Sequence, residues 1–270
     1  MSERIDIGGG VKLACTVTGT GPPLVLMHGA EGSHRMFDAI VPHLAAHFTT
    51  IAYDQRDCGE SENPVAESSL ANLADDARAL LQALGHAKAH VYGSSFGGRV
   101  AQMLAHRHAE AVDRLVLGST WPLPQALEAL NPEGVAQIHA LRAKLPESAE
   151  ALAEFFLPKA FLETRPELKQ IFRNAQPQSE RSLRRFRTVA DLPPFEPGAI
   201  GVPALVLFGE LDRVVPPRVT GAMAATMPRA EAVMLRGLGH AGALQAPETI
   251  AAHIRRFCRV SHTHSERAAT

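Results

Sequence analysis

Two patterns of apolar residues alternate along the chain up to about residue 118 and again after about residue 203. Short apolar runs of strand length alternate there with stretches in which apolar residues recur every three or four positions, which is typical of helices. The predicted strands are Arg4 to Ile7, Val11 to Thr18, Pro23 to Met27, Phe48 to Tyr53, Ala89 to Tyr92, Arg114 to Gly118, Ala204 to Phe208 and Ala232 to Leu235. The predicted helices between them are His34 to His47, Leu70 to Leu84, Gly98 to His108, Thr220 to Ala225 and Pro247 to Phe257. This alternation predicts an α/β protein with a mostly parallel eight-stranded sheet flanked by helices, opened by a hairpin across Gly8-Gly9-Gly10.

The strand pattern stops between Trp121 and Gly201, and helical patterns replace it. We predict a helical cap over residues 122–200 and a core formed by 1–121 and 201–260. The predicted cap helices are Gln125 to Leu130, Pro132 to Ala143, Ser148 to Phe156, Arg165 to Asn174 and Ser179 to Val189. The cap's aromatic residues either line a substrate pocket or form the cap's own core: Phe155, Phe156, Phe161 and Phe172. The polar tail, 261–270, is expected to be disordered.

A length of 270 residues fits one α/β domain with an insertion. The net charge of −1, without long charged runs, gives no reason to expect nucleic acid or an anionic membrane as a partner. We therefore expect a small-molecule substrate, with the chain acting as a monomer or a homodimer.

The three cysteines, Cys15, Cys58 and Cys258, are widely spaced and form no CxxC pair. The chain also does not open with a basic and then apolar segment of the kind that directs secretion. Its longest apolar runs are of strand length and are too short to span a bilayer. These features predict a reduced, cytoplasmic protein without a transmembrane segment.

Ser95 lies at the centre of Gly93-Ser94-Ser95-Phe96-Gly97, directly after a predicted strand and before a predicted helix. This is the layout of a nucleophile elbow, in which a sharp strand-to-helix turn exposes one hydroxyl. A serine hydroxyl attacks a carbonyl only when a neighbouring base takes its proton, and imidazole suits that role. The expected base is His240, and a carboxylate would orient its ring: Asp212, with Glu210 as the nearby rival.

Four blocks of sequence carry a resemblance to a known family. They are His28-Gly29 after a strand, Asp54-Gln55-Arg56 ahead of Gly59 and Ser61, the elbow, and Gly209-Glu210-Leu211-Asp212 with Gly239-His240. In this order and spacing the chain resembles the α/β-hydrolases of the serine esterase, lactonase and C–C hydrolase group, over about residues 4 to 258. It departs from them at Asp57, where the family usually has Gly, and at Gln245, where it often has Glu.

The resemblance implies an α/β-hydrolase fold with a catalytic triad of Ser95, Asp212 and His240, in the family's chain order. It also implies that the backbone N–H groups of Ala30 and Phe96 form an oxyanion hole, which meets the charge that develops on the substrate oxygen. His28 is expected to brace the loop near the site without taking a proton. No cofactor is required.

Two residues near the expected site are candidates for lining the substrate pocket. Glu31 follows an expected oxyanion donor, where a further negative charge would hurt catalysis. It either forms an ion pair, for which Arg56 and His34 are candidates, or recognises a cationic substrate. Trp121 either faces the pocket or packs at the hinge of the cap.

The thirteen histidines do not predict a metal site. The closest pairs, His106 with His108 and His262 with His264, are two residues apart, so on a helix their rings point to different faces. No cysteine or carboxylate cluster joins either pair. We therefore expect no metal.

The sequence predicts a serine hydrolase that cleaves a small carboxylic ester or lactone through an acyl-enzyme. The same residues are also compatible with a C–C bond hydrolase, an aminopeptidase or a cofactor-free perhydrolase or haloperoxidase. A serine at the elbow argues against haloalkane dehalogenases and epoxide hydrolases, which carry a carboxylate nucleophile there. A non-catalytic binding protein with this fold is the remaining alternative.

Overall fold

The computed structural model describes residues 2–64, 67–173, 179–196 and 198–259. Its eight strands form one sheet, which confirms the predicted fold class. The strands are β1 (Glu3–Asp6), β2 (Lys12–Thr18), β3 (Pro23–Met27), β4 (Thr49–Tyr53), β5 (Ala89–Ser94), β6 (Val112–Gly118), β7 (Ala204–Gly209) and β8 (Ala230–Leu235). The helices are α1 (Val41–Leu44), α2 (Leu70–Ala83), α3 (Phe96–Arg107), α4 (Leu127–Leu130), α5 (Pro132–Arg142), α6 (Ala149–Phe156), α7 (Lys159–Thr164), α8 (Glu180–Ala190), α9 (Pro217–Ala224), α10 (Gly242–Gln245) and α11 (Pro247–Cys258). Shorter 3-10 helices span His34–Phe37, Ala109–Ala111 and Pro166–Phe172.

The strands lie in the order β1-β2-β4-β3-β5-β6-β7-β8. β1 and β2 pair antiparallel, and β2 pairs antiparallel with β4; the other neighbours are parallel. The predicted opening hairpin is confirmed, and its three glycines all have positive φ, a conformation that side chains disfavour. The carboxyl ends of the parallel strands therefore meet at one edge of the sheet.

Successive residues of the central strands point to opposite faces of the sheet and belong to two hydrophobic layers, one on each face. Val25 and Val91 pack under α2 and α3, while Leu24 and Tyr92 pack under α1 and α11 on the opposite face. A sheet buried on both faces explains why its central strands consist almost entirely of apolar residues.

The predicted single helix from His34 to His47 is wrong. The segment forms a 3-10 helix over His34–Phe37 and the short α1, with an irregular stretch between them. Pro42 sits in the first turn of α1, where it has no N–H to donate and where its ring would clash with the carbonyl four residues earlier in a continuous helix.

The segment between β6 and β7 contains only helices in its described part, and we call residues 122–200 the cap segment. Its helices follow the predicted ones closely, except that Pro166–Phe172 is a 3-10 helix rather than part of a predicted α-helix from Arg165 to Asn174. Asn174 lies outside the described residues, as does the tail, 261–270. The sequence pattern did not predict α7 or α10.

The structure also bears on the predictions that the composition makes for the cysteines and for membrane-spanning segments. Cys15, Cys58 and Cys258 are buried free thiols, and burial raises the pKa of Cys15 to about 11 and of Cys258 to about 12. Within the described ranges, no helix is both long enough and apolar enough to cross a membrane.

Candidate active site

Ser95 occupies a strained turn between β5 and α3. Its φ is 55° and its ψ is −124°, a conformation that non-glycine residues rarely adopt. The turn is held by the Ser95 N–H, which donates to the Gly118 carbonyl at 2.8 Å, and by the Thr120 hydroxyl, which donates to the Ser95 carbonyl at 2.6 Å. The neighbouring strand therefore fixes the serine in position.

The glycines of the elbow are required by close backbone approach. A Cβ on Gly97 would lie 2.0 Å from the Met27 carbonyl oxygen, and one on Gly93 would lie 2.3 Å from the Gly97 carbonyl oxygen. Both distances are far below van der Waals contact, so a side chain on Gly97 would push the elbow away from the end of β3, and one on Gly93 would push the start of α3 away from β5. The sequence pattern G-x-S-x-G thus has a direct steric cause.

The Ser95, His240 and Asp212 side chains form a continuous hydrogen-bonded chain. The Ser95 Oγ lies 2.9 Å from His240 Nε2, and His240 Nδ1 lies 2.9 Å from Asp212 Oδ2. Because a carboxylate only accepts hydrogen bonds, Nδ1 carries the proton and Nε2 is free to accept one from the serine. His240 and Asp212 are 5% and 4% exposed, so water competes little for these bonds.

Backbone groups orient both partners of the serine. The second oxygen of Asp212 accepts the N–H groups of Val214 and Val215, each at 2.9 Å. The His240 N–H donates to the Phe156 carbonyl at 2.9 Å, and the Phe156 ring meets the imidazole edge-on at 5.6 Å. The rival acid, Glu210, instead accepts the N–H of Gly237 at an exposed position.

The loop after β3 passes directly over Ser95. A Cβ on Gly29 would lie 3.6 Å from the Ser95 Cβ and 3.9 Å from its Oγ, so the backbone leading to Ala30 borders the hydroxyl. On the other side of Ser95, Phe96 is the first residue of α3, so its N–H has no acceptor within the helix. The loop and the helix start thus border Ser95 from two sides.

His28 braces this loop as a neutral imidazole. The Gln55 N–H donates to His28 Nε2 at 3.1 Å, so Nε2 carries no proton, and Nδ1 donates to the Gly29 carbonyl at 2.7 Å. Complete burial, together with the nearby Arg185 charge, lowers the pKa of His28 to about 3. The Gln55 side chain adds a bond to the His28 carbonyl at 2.7 Å.

Asp57 has a clear role in holding the cap segment. Its φ is 61°, which Asp tolerates better than most residues, and its Oδ1 accepts two bonds from the Arg184 guanidinium, at 2.7 and 3.2 Å. Arg184 belongs to α8. The departure from glycine therefore provides an ion pair between the core and the cap segment.

Glu31 pairs with a residue that the sequence did not suggest. Both of its carboxylate oxygens contact the Arg142 guanidinium of α5, at 2.8 and 2.7 Å. The expected candidates have other partners, since Arg56 binds Asp76 and His34 binds Asp54. This is a second ion pair between the core and the cap segment, and both of its members are partly exposed.

Trp121 is buried and makes the contacts expected for packing at the hinge. Its indole N–H donates to the Gln125 carbonyl at 3.1 Å, and the Arg99 guanidinium lies 5.2 Å from its ring centre. Of the cap aromatics, Phe155 packs into the main core, whereas Phe156 stacks against Phe172 beside His240.

Arg185 of α8 is the site residue that the sequence analysis missed. Its Nε donates to the Ala30 carbonyl at 2.6 Å, its Nη2 donates to Gln55 Oε1 at 2.7 Å, and its guanidinium lies 4.7 Å from the Phe96 ring centre. It belongs to no motif and lies far along the chain from its partners, so no local signal points to it. In the part of the chain that the structure describes, no group of His, Cys, Asp and Glu could hold a metal ion.

Comparisons with known proteins agree with this architecture. A soluble epoxide hydrolase from Corynebacterium sp. (strain C12) is 35% identical over 128 residues, which is 44% of this chain and 45% of that protein. A thermophilic esterase from Thermogutta terrifontis superposes with a TM-score of 0.80 at 27% identity, covering 96% of this chain and 98% of the esterase. The meta-cleavage product hydrolase of Pseudomonas fluorescens IP01 shares the fold at 24% identity and a TM-score of 0.80, covering 95% and 97% of the two chains.

The match to the epoxide hydrolase spans less than half of that protein, so it says little about the activity of this chain. The match to the family model is far more extensive, since it covers residues 22–247, from the first buried strand to the start of α11. The chain therefore belongs to the alpha/beta hydrolase fold family and is a hydrolase.

Proposed function

We propose that this protein is a serine hydrolase that cleaves small carboxylic esters or lactones through an acyl-enzyme intermediate. Ser95 is the nucleophile, His240 is the general base and acid, and Asp212 orients the imidazole. The observation that carries the proposal is the hydrogen-bonded chain from Ser95 Oγ through His240 to Asp212, with 2.9 Å at each step.

In the first half of the reaction, Ser95 Oγ attacks the substrate carbonyl carbon while its proton moves to His240 Nε2. The resulting imidazolium then donates this proton to the alcohol oxygen as the C–O bond breaks. In the second half, His240 takes a proton from water, which attacks the acyl-enzyme, and returns the proton to Ser95. A lactone follows the same path, except that its alcohol remains attached to the acyl group.

Two charges develop during each step, and the site has a group for each of them. The negative charge on the carbonyl oxygen is met by the N–H groups of Ala30 and Phe96, helped by the positive end of the α3 dipole. Each such donor contributes about 3 kcal/mol to transition-state stabilisation. The positive charge on the imidazolium is met by Asp212.

The nucleophile also favours acyl transfer over epoxide opening. Attack by a serine oxygen on an epoxide carbon would leave an ether, which activated water does not cleave. Attack on an ester carbonyl leaves an ester, which the same imidazole can hydrolyse. Ser95 is therefore suited to the activity of an esterase and unsuited to that of the epoxide hydrolase that the chain partly resembles.

A fluorophosphonate probe tests the nucleophile, since it labels only a serine that a neighbouring base activates. We expect rapid labelling of the wild-type protein and none of Ser95→Ala. Ser94→Ala is the matched control because Ser94 is the adjacent buried serine, and it should be labelled like the wild type. Labelling that persists in Ser95→Ala would refute the assignment.

A substrate panel tests the reaction class. We expect the hydrolysis of nitrophenyl esters or lactones to have the highest kcat/KM. The values for cleavage of amino-acid amides, for cleavage of dioxo acids and for peracid formation should all be lower. A higher value for the dioxo acids would make the enzyme a C–C hydrolase, and a higher value for the amides would make it an aminopeptidase. Either result would replace the ester proposal while leaving Ser95 as the nucleophile.

A further inference from the structure

Arg185 brings a buried positive charge from the cap segment to the loop beside Ser95. Its side chain reaches the Ala30 carbonyl, the Gln55 side chain and the Phe96 ring, and the residue is only 4% exposed. Ala30 and Phe96 are the two residues that supply the oxyanion donors under the proposed function. The charge therefore lies next to the place where the substrate carbonyl would bind.

This guanidinium has no carboxylate of its own among the described residues. Its two hydrogen-bond acceptors are neutral, a backbone carbonyl and an amide oxygen. Two carboxylates that act on its charge, Asp57 and Glu31, are bound to Arg184 and Arg142. Buried charges are normally paired because their loss of hydration is costly, so the lack of a partner at this position requires an explanation.

Two hydrogen-bond donors at this place also lack acceptors within the described ranges. They are Nη1 of Arg185 and the hydroxyl of Tyr53, and both atoms are buried. Tyr53 ends β4 and pairs in register with Met27, the last residue before the loop that carries Ala30. Arg185 binds the side chain of Gln55, two residues beyond Tyr53, so its guanidinium lies near the same end of β4. Its charge lowers the pKa of the Tyr53 hydroxyl, less strongly than burial and Asp76 raise it, and Asp76 is itself paired with Arg56.

One chemical group satisfies a cation and two unused donors at once. A carboxylate supplies the missing negative charge, and its two oxygens can accept one bond from the guanidinium and one from the phenol. A neutral alkyl group would leave both donors unsatisfied, which is unfavourable in a buried position.

We propose that Arg185 and Tyr53 bind a carboxylate of the substrate, so that the enzyme prefers esters or lactones whose acyl part carries a second, ionised carboxyl group. This inference rests on the proposed function for the position of the scissile carbonyl. It assigns Arg185 a role that its neighbours on α8 do not share. Arg184 is paired with Asp57, and Arg181 Nη2 donates to three backbone carbonyls of the loop after β4.

The test compares two ethyl esters of the same chain length. The acyl chain of ethyl pentanoate ends in a methyl group, and that of monoethyl glutarate ends in a carboxylate. We expect the wild type to hydrolyse monoethyl glutarate with a kcat/KM at least about 10-fold higher, since hydrogen bonds to charged groups are strong. Arg185→Met lowers the hydrolysis of both esters to the extent that Arg185 also holds the Ala30 loop, but it should lower kcat/KM for monoethyl glutarate at least about 30-fold more than for ethyl pentanoate, because only the former carries the carboxylate. The rates are measured by titration of the released acid.

Tyr53→Phe gives a second variant that does not endanger the fold, because its hydroxyl has no partner among the described residues. It should lower kcat/KM for monoethyl glutarate about 10-fold and leave ethyl pentanoate unchanged. Arg184→Met is the matched control, since it removes a guanidinium from the same helix and should affect both esters by the same factor. Equal losses on both esters in Arg185→Met would overturn the inference and make Arg185 a positioning residue for the loop.

A competition experiment on the wild type separates this inference from the proposed function, because it needs no turnover and no variant. Glutarate should slow fluorophosphonate labelling of Ser95 at concentrations at least about 10-fold lower than glutaramide does, since glutaramide has the same shape but no charge. Protection by glutarate without hydrolysis of either ester would support the carboxylate site while refuting the ester reaction. Equal protection by glutarate and glutaramide would overturn the carboxylate site.

Discussion

The carboxyl edge of the sheet and the cap segment position their residues by different means. At the sheet edge, backbone groups hold two of the three reacting side chains: the N–H groups of Val214 and Val215 bind Asp212, and a glycine-flanked turn holds Ser95. These contacts are short, largely buried and fixed by strands that pair along their length. The reacting groups are therefore set by the most rigid part of the molecule.

The cap segment contacts the core through the packing of Phe155, through the Phe156 carbonyl, which accepts the His240 N–H, and through a set of long arginine side chains. Arg181, Arg184 and Arg185 of α8 reach the loops after β3 and β4, and Arg142 of α5 reaches Glu31. In the opposite direction, Arg99 of α3 donates to two carbonyls at the end of α8. Each of these side chains can be substituted without moving the strands. The residues around the substrate can therefore change while the geometry of the triad is kept.

The largest effect is expected from Asp212→Asn, which alters the sheet edge without changing its shape. An asparagine amide at this position favours the wrong imidazole tautomer, so kcat should fall about 10⁴-fold while the melting temperature remains close to that of the wild type. Ester hydrolysis and thermal unfolding measure the two quantities. Glu210→Gln is the control and should keep near-normal turnover; a large loss there instead would move the orienting role to Glu210.

The sheet edge could be predicted from sequence because its signals are local. The run Ala89 to Tyr92 followed by the glycine-flanked Ser95 predicts strand, turn and nucleophile within a few residues of one another. The strand continues to Ser94 and the helix begins at Phe96, both slightly beyond the predicted limits, because the elbow needs no intervening loop. His240 and Asp212 follow from the family pattern and from the chemistry that an activated serine requires.

The cap contacts could not be predicted because they join residues far apart in the chain. Glu31 and Arg142 are separated by 111 positions, and Arg185 and Ala30 by 155. Charge alone offered Arg56 and His34 as closer partners for Glu31, but buried acids already occupy them. Only the packing of α5 and α8 onto the core decides which arginine meets which acceptor.

Gly97→Ala tests how rigid the sheet edge is. The added Cβ would lie 2.0 Å from a backbone oxygen of β3, and neither strand nor helix can yield without losing its hydrogen bonds. We expect a loss of about 3 kcal/mol or more in the free energy of unfolding, measured by urea denaturation. Gly201→Ala is the control, since nothing lies within 4 Å of its added Cβ and its φ is not positive, so it should change stability by less than about 1 kcal/mol.

A double-mutant cycle between Arg184 and Asp57 measures how strongly this ion pair fastens the cap segment to the core. Asp57 is buried, so Arg184→Gln leaves a carboxylate without its partner and should cost about 2 kcal/mol of unfolding free energy. Asp57→Asn in the Arg184→Gln background should recover about half of this loss, because it removes the unpaired charge. Strictly additive losses would mean that this ion pair does not fasten the cap segment.

The smallest effect is expected from Glu31→Gln, at the exposed end of the same interface. Both members of its ion pair with Arg142 are 40% or more exposed, so solvent and salt weaken the attraction and the loss of stability should stay below about 1 kcal/mol. Turnover of neutral esters should change by less than about 3-fold, and the difference in stability between the variant and the wild type should shrink further at 0.5 M salt.

An ester that carries an ammonium group tests the alternative role of Glu31. A selective loss of kcat/KM for that ester in Glu31→Gln would mean that the carboxylate binds cationic substrates. Because the Arg142 guanidinium already engages both carboxylate oxygens, we expect no such selectivity.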